Sequence, residues 1–477
     1  MNDRRVAVFL CSAAVLLLGI AWLRGSEYDE AYSIFLTAGH ARPAWPSGVF
    51  TAGAVRWLYA GGAGFWRVAQ DLRAGDVHPP LYFWVLDAWR QVFGPSWFAA
   101  RALSVLFTLG GLALLACLAE AAAIPVLSAL ALTLLSYGFA YTGVVARGFA
   151  LAQLCDIGGV LLLFLATRER RWRVALAGGA LFGAASFSNY LAIFTGVAAL
   201  LWLCRVRWRL VPAALAGLVP FLLPDAWFFL VQRGSRAAQF VAFSPGHALD
   251  LLAKDAGAVV FGGLPVYAGA FALPVTLVLL ALIVAGLGYV LRRRHEWAGL
   301  FALLALATPV GLLALGLVFH NTPIEIRYLG FATPWLALLL APALPRWLLA
   351  VMLGAQAAAI AGLAFAASTM QPQGLAAREA ASYPGALVVV PLGNDGVGVP
   401  GPFIAAAPDA MRLRLFRAGP ALDVQGETQV VLVTLGVDGA SQAASAQMLD
   451  AMRLDRCFTQ VARTPLIAVF DRGCADQ

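Results

Sequence analysis

Hydrophobic runs dominate the chain, and their lengths set the first division. Val6 to Leu23 is an apolar run of membrane length, read as an uncleaved first span. Further runs near 98–118, 122–140, 148–167, 210–231, 270–291, 297–319, 328–344 and 347–367 each predict one membrane helix. Residues 174–204 exceed one span and are broken midway by Asn189-Tyr190, so they predict a tight helical hairpin. Pro79 to Phe93 is short for a crossing and predicts a partly inserted helix. Trp, Tyr and Phe alternate with Arg and Asp over 41–75, which predicts an interfacial amphipathic helix near 54–73.

The pattern changes near Gln371. Ala377–Tyr383 reads as helix, and Ala386–Pro391 and Gln429–Leu435 read as strands. Asp438–Arg453 reads as an amphipathic helix, and Cys457–Arg463 with Leu466–Asp471 as a hairpin about Thr464-Pro465. The predicted architecture is an α-helical polytopic membrane protein of about 11–13 transmembrane helices. Residues 1–370 form its membrane domain, with an outer loop over 24–78, and 371–477 form a small C-terminal α/β domain. The hairpin brings Cys457 near Cys474, and an oxidising outer compartment would allow a disulfide. Cys11, Cys117, Cys155 and Cys204 lie in apolar runs and read as small core residues.

Composition agrees with a membrane protein. The 477 residues are 61% hydrophobic and 12% charged, against about a quarter charged in soluble domains. The formal net charge is +8, and all of the positive charge except Lys254 is arginine. Arginines punctuate the apolar runs, and no basic stretch is interleaved with aromatics in a soluble segment, so nucleic acid is not an expected partner. Arg4-Arg5, Arg168–Arg173, Arg205–Arg209 and Arg292–Arg294 mark the inner side. With eleven spans and a shallow 79–93 segment, every one of these clusters falls inside and the C-terminal domain outside.

That topology puts two short polar stretches on the outer face. Ser26-Glu27-Tyr28-Asp29-Glu30-Ala31-Tyr32 follows the first span, and Asp76-Val77-His78-Pro79-Pro80-Leu81-Tyr82 precedes the next apolar run. Adjacent acids at a membrane edge are costly unless solvated or paired. A solvated loop start beside Arg24 explains them as readily as a base does, and His78-Pro79-Pro80 also reads as a plain helix start. Arg147, Arg233, Arg236 and Arg327 are cations on the outer side, where arginine needs a reason. A snorkelling side chain is one reason, and binding a phosphate at the membrane surface is another. A divalent metal stays possible, but His40, His78, His247 and His320 show no ligand spacing, so no metal-ligating residue is named.

Tyr28-Asp29-Glu30 followed by His78-Pro79-Pro80-Leu81-Tyr82, with Phe93-Gly94-Pro95-Ser96-Trp97-Phe98-Ala99-Ala100-Arg101 as continuation, resembles the C-type (GT-C) glycosyltransferases of the protein O-mannosyltransferase and lipid A aminoarabinose transferase type. Arg147 and Phe149 are similar to a Glu-x-Arg-x-Tyr/Phe element of that family, although Val145 stands where the acid would be. Ser188-Asn189-Tyr190 and Arg327-Tyr328 sit where the family often has polar breaks. The resemblance covers roughly residues 1–345 and is specific in the first hundred.

It implies an inverting glycosyltransferase of the bacterial inner membrane, with its C-terminal domain in the periplasm. The donor would be a sugar on polyprenyl phosphate, and the acceptor a lipid, glycan or protein on the outer face. On this reading Asp29 or Glu30 is the catalytic base, and His78, Arg147, Arg327, Tyr328, Tyr82 and Asn189 bind substrate or phosphate. No cofactor beyond a possible divalent metal is implied. A transporter or flippase of lipid-linked sugars would share the apolar spans, but the repeats common in transporters are not evident. A non-catalytic homologue that only binds polyprenyl phosphate would fit the missing acid at Val145.

Overall fold

The computed structural model describes residues 3–232, 241–262, 271–292, 297–366, 371–424 and 426–474. Arg233, Arg236, Arg293 and Arg294 lie outside the described residues. The chain divides into two compact units. One comprises residues 1–22, 72–82 and 101–362; the other comprises 23–71, 83–100 and 363–477.

The first unit is helical. Asp3–Leu23, Trp97–Ala121, Phe149–Glu169, Ala298–Phe319 and Arg346–Phe365 are each long and apolar enough to cross a membrane. A sixth candidate, Tyr190–Val231, holds helices Ile193–Arg207 and Val211–Val231 joined by a short 3-10 turn. The run near 122–140 is bent by 71° between Val126–Leu135 and Tyr137–Val144, which makes it a broken span or a re-entrant loop. Thus six helices, or seven counting the bent pair, meet the length and apolarity of a crossing among the described residues. Helix Ala272–Arg292 contains a shorter apolar stretch, Leu273–Gly286, and Trp172–Ser186 adds an apolar helix of 15 residues. Exposed Leu, Val, Phe and Trp side chains on these helices are what a hydrocarbon environment accepts, and the chain is a multi-pass membrane protein.

Small residues let two of the helices meet closely. A Cβ on Gly179 would lie 1.8 Å from the Ala214 carbonyl oxygen, and one on Gly217 would lie 1.9 Å from that of Leu176. Helices Trp172–Ser186 and Val211–Val231 therefore pack backbone to backbone, the small-residue mode favoured in membranes. Of the four lone cysteines only Cys155 is buried; Cys11, Cys117 and Cys204 lie on outer helix faces, because their apolar surroundings are lipid-facing as well as core.

The second unit is built on a six-stranded sheet. Its strands are β1 (Phe50–Thr51), β2 (Leu387–Pro391), β3 (Arg412–Phe416), β4 (Gln429–Val433), β5 (Phe458–Arg463) and β6 (Ile467–Arg472), in the order β1-β3-β2-β4-β6-β5. The central pairs β2–β3 and β2–β4 are parallel, and the outer pairs are antiparallel. Every residue of β2 is buried, as expected of a parallel strand covered on both faces. Helix Gly439–Leu454 covers one face, with Met448 and Met452 packed on Leu432 and Phe470. Asp438 starts that helix through a capping box with Ser441. The hairpin β5–β6 is closed by a Cys457–Cys474 disulfide with Cα atoms 5.0 Å apart.

Strand β1 comes from the loop expected to stay with the membrane half. The loop's remaining bonds explain that membership. Ser26 Oγ donates to the Pro402 carbonyl at 2.7 Å, Tyr28 Oη to Asp395 at 2.9 Å, and Trp45 Nε1 to Gly396 O at 2.6 Å. Tyr59 Oη donates to Gly401 O at 2.8 Å. The single amphipathic helix expected near 54–73 is two pieces, a 3-10 helix Ala52–Tyr59 and an α-helix Gly64–Gly75. Gly61 and Gly64 take φ of +103° and +71° there, which side chains with a Cβ rarely adopt, and the chain turns. Pro79-Pro80 precedes a helix of only 13 residues, Leu81–Phe93, in keeping with a segment too short to cross.

Candidate functional site

Three backbone breaks of the first unit converge on one place. The first is the loop after Gly64–Gly75, which carries Asp76 and His78 and leads to Leu81. The second is Val145–Gly148, between Tyr137–Val144 and Phe149–Glu169. The third is Phe187–Asn189, between Trp172–Ser186 and the 3-10 turn Tyr190–Ala192. Leu81 N donates to the Phe187 carbonyl at 3.1 Å. A Cβ on Gly148 would lie 2.2 Å from the Ser188 carbonyl oxygen, so only glycine lets these two breaks touch.

Beside the junction is a cavity of about 140 Å³. Its polar lining comes from His78, Asn189, Tyr190, Asn321 and Tyr328, and its apolar lining includes Phe149, Phe229, Leu315 and Phe319. Asn321 reaches it because residues 241–243 bridge to 320–322, with Thr322 N donating to Val241 O at 2.9 Å. Asn189 is 5% exposed, and its Oδ1 accepts from Leu191 N at 3.1 Å to start the turn.

Asp76 organises His78. Its Oδ1 lies 2.8 Å from His78 Nδ1 and accepts from Val77 N at 2.5 Å. Burial alone would raise the Asp76 pKa. Attraction and hydrogen bonding to His78, the charge of Arg147 and the Val77 amide outweigh it and bring the carboxyl down to about 2. An ionised carboxylate only accepts, so Nδ1 of His78 carries the proton. A second proton on Nε2 makes the ring a cation without breaking that bond. Arg147 is 5% exposed and its guanidinium charge acts on Asp76, so it is a buried partner of this loop and does not snorkel to water.

The Asp76 shift has a consequence for acid stability. A carboxyl whose folded pKa is below its ordinary 3.8 stabilises the fold above that pH and loses its contribution as pH falls toward 2. The shift is worth on the order of 2 kcal/mol. Between pH 4 and pH 2 the thermal midpoint of the wild type should fall more steeply than that of Asp76→Asn. Parallel curves would show that the carboxylate is not held down in the fold.

The other expected site residues are placed as follows. Tyr328 lines the cavity, while Arg327 pairs with Glu325 and lies 5.2 Å over the Tyr328 ring. Tyr82 is fully buried with its hydroxyl 3.1 Å from Ser104, and it does not line the cavity. Val145 is fully buried, and its carbonyl accepts from Ser104 Oγ and Arg147 N. Asp29 and Glu30 belong to the second unit, in the first turn of helix Tyr28–Thr37. Glu30 is fully buried and Asp29 is half-buried. Arg24 pairs with Glu27, the residue that precedes this helix.

Asp76 lies in the Asp76–Tyr82 motif without a role assigned from sequence, and Asn321 and Gln232 lie outside both polar motifs. Asp76 had a signal, a carboxylate two residues from a histidine in a proline-rich loop. Asn321 and Gln232 had none, since each is one amide at the end of a long apolar run. Among the described residues no group of three or more His, Cys, Asp or Glu is placed to hold a metal ion.

Residues 77–224, less than half of the chain, match the family model described as dolichyl-phosphate-mannose-protein mannosyltransferase. No curated protein matches the chain. Among solved structures, ArnT from Cupriavidus metallidurans in the apo state is similar over 98% of both chains, at 15% identity and a TM-score of 0.55. The same protein bound to undecaprenyl phosphate gives 15% identity, 98% of both chains and a TM-score of 0.52. The arabinofuranosyltransferase AftD from Mycobacteria covers all of this chain and 40% of its own, at 17% identity and a TM-score of 0.47. Whole-length similarity to ArnT at that identity is a likeness of fold: a helical membrane unit with a small C-terminal sheet, the C-type glycosyltransferase fold.

Proposed function

We propose that the chain is an inverting glycosyltransferase that moves a sugar from polyprenyl phosphate to an acceptor on the outer face of the membrane. The observation that carries this reading is the cavity, where a histidine, two amides and two phenols meet an apolar wall inside a helical membrane unit. A lipid phosphate needs both surfaces at once. The fold shared with a structure holding undecaprenyl phosphate supports the same donor class.

In the proposed reaction Asp29 takes a proton from an acceptor hydroxyl. The acceptor oxygen bonds to the anomeric carbon on the face opposite the phosphate, and the bond from that carbon to the phosphate oxygen breaks. Phosphate is a weak base, so no general acid is needed at the leaving group. His78, oriented by Asp76, and the hydroxyl and amide groups of Tyr328 and Asn189 would take up the developing phosphate charge. Arg147 supports them by keeping Asp76 ionised. Glu30, fully buried, suits an organiser of the acid helix better than a base.

The test uses undecaprenyl phosphate and the purified full chain. His78→Ala should weaken its binding by roughly tenfold, the loss expected for one charge-assisted hydrogen bond. Wild-type protein that binds no undecaprenyl phosphate would sink the donor assignment. Mass comparison of envelope glycolipids and glycoproteins with and without the enzyme would then identify sugar and acceptor.

A further inference from the structure

Gln232 ends helix Val211–Val231 and is 1% exposed. It is not among the residues that line the cavity. Its Nε2 donates to the Leu72 and His78 carbonyls, each at 3.0 Å, and its Oε1 accepts from Tyr190 Oη at 2.7 Å. Leu72 lies in the last turn of helix Gly64–Gly75, and His78 in the loop that follows it and carries Asp76. The Leu72 carbonyl also accepts from Asp76 N at 3.1 Å. One amide therefore ties the His78 loop to the last turn of the helix before it and to Tyr190, a second wall of the same cavity.

We infer that Gln232 is a positioning residue, which sets where the His78 ring stands in the cavity. The inference rests on the reading of that cavity as a phosphate site. Asp76 holds the ring's Nδ1, yet Asp76 rides on the same loop and moves with it. Gln232 comes from a different helix and supplies the fixed point. Only an amide meets the demand, two donors to two carbonyls and one acceptor to a phenol. Glutamate at 232 has no donor and would set an anion against two carbonyl oxygens. Leucine fills similar space and makes none of the bonds.

The experiment follows His78 itself in the purified full chain, as its rate of modification by diethyl pyrocarbonate read by peptide mass spectrometry. Gln232→Leu and Gln232→Glu should change the His78 rate by about tenfold, the scale of a buried hydrogen-bonding group left unpaired. His40 and His247 serve as internal controls and should not change. Gln232→Leu should also weaken undecaprenyl phosphate binding in the wild type but add nothing in a His78→Ala background, because the two changes act through one ring. Should Gln232→Leu fail to fold, Tyr190→Phe removes one bond and keeps both carbonyl contacts; it should alter the His78 rate in the same direction. An unchanged His78 rate in every folded variant would overturn the inference. So would an equal loss of binding with and without the His78 ring. A changed rate in protein that binds no undecaprenyl phosphate would uphold Gln232 as the loop's anchor and reject the phosphate reading.

Discussion

Asp29→Asn is expected to lower sugar transfer by about 10²–10⁴-fold while the protein still inserts and binds undecaprenyl phosphate. Asparagine keeps the shape of the side chain and loses its ability to take a proton. Asp29 stands in the first turn of Tyr28–Thr37, where the helix dipole favours a carboxylate. Other groups also hold the helix. Tyr28 Oη donates to Asp395, Ser33 Oγ returns to the Asp29 carbonyl, and Arg90 reaches the Ile34 carbonyl at 2.9 Å. Burial first, and then the charges of Asp395 and Asp29, push the Tyr28 phenol above its usual range, so it remains a donor at any working pH. Glu30 cannot stand in for the lost base, since successive helical residues point about 100° apart and Glu30 is fully buried. Transfer at the wild-type rate in Asp29→Asn would sink the assignment of the base. Glu30→Gln should instead reduce the yield of folded protein.

Gly148→Ala should cost about 10² in transfer, although it adds one methyl group and touches no substrate. The new Cβ would meet the Ser188 carbonyl oxygen at 2.2 Å, more than 1 Å inside an ordinary contact. Neither side is a flexible side chain that can swing away. Gly148 adjoins Arg147, and Ser188 adjoins Asn189, so the separation must pull a buried cation and a cavity wall apart. The substitution leaves the apolar helix Phe149–Glu169 intact, so membrane insertion should survive. Full transfer in Gly148→Ala would mean that the junction does not hold the reacting groups. A matched Gly19→Ala, where a Cβ meets nothing within 4 Å, is the control.

Part of this molecule was legible one residue at a time. Run length separates Trp97–Ala121 and Phe149–Glu169 from the short Leu81–Phe93, because a bilayer sets the minimum length of a crossing helix. β-branched runs located β2 and β4, and the Cys457–Cys474 pair followed from folding a hairpin about its turn. Strand β3 was missed although Arg412-Leu413-Arg414-Leu415 alternates with the period of a strand. Its arginines, paired with Glu427 and Asp423, disguise it. Strand β1 has only two residues and exists because β3 offers it an edge.

Sequence alone determined the membrane class, the positions of apolar helices such as Trp97–Ala121 and Phe149–Glu169, and the two polar stretches around Asp29 and His78. Each is a property of neighbours along the chain, readable from periodicity, length and residue type. The run 328–344, expected as one span, is instead a 3-10 turn Tyr328–Phe331 and a helix Thr333–Leu340 of eight residues. Tertiary structure decided that residues 23–71 group with the C-terminal sheet, that Asp76 and Arg147 bear on one another, and that Gln232 anchors the loop of His78. Those outcomes depend on groups separated by tens to hundreds of residues, such as Ser26 with Pro402 or His78 with Gln232. A buried donor or acceptor must find a partner somewhere, but its own sequence does not say where, and only the packed backbone supplies the answer.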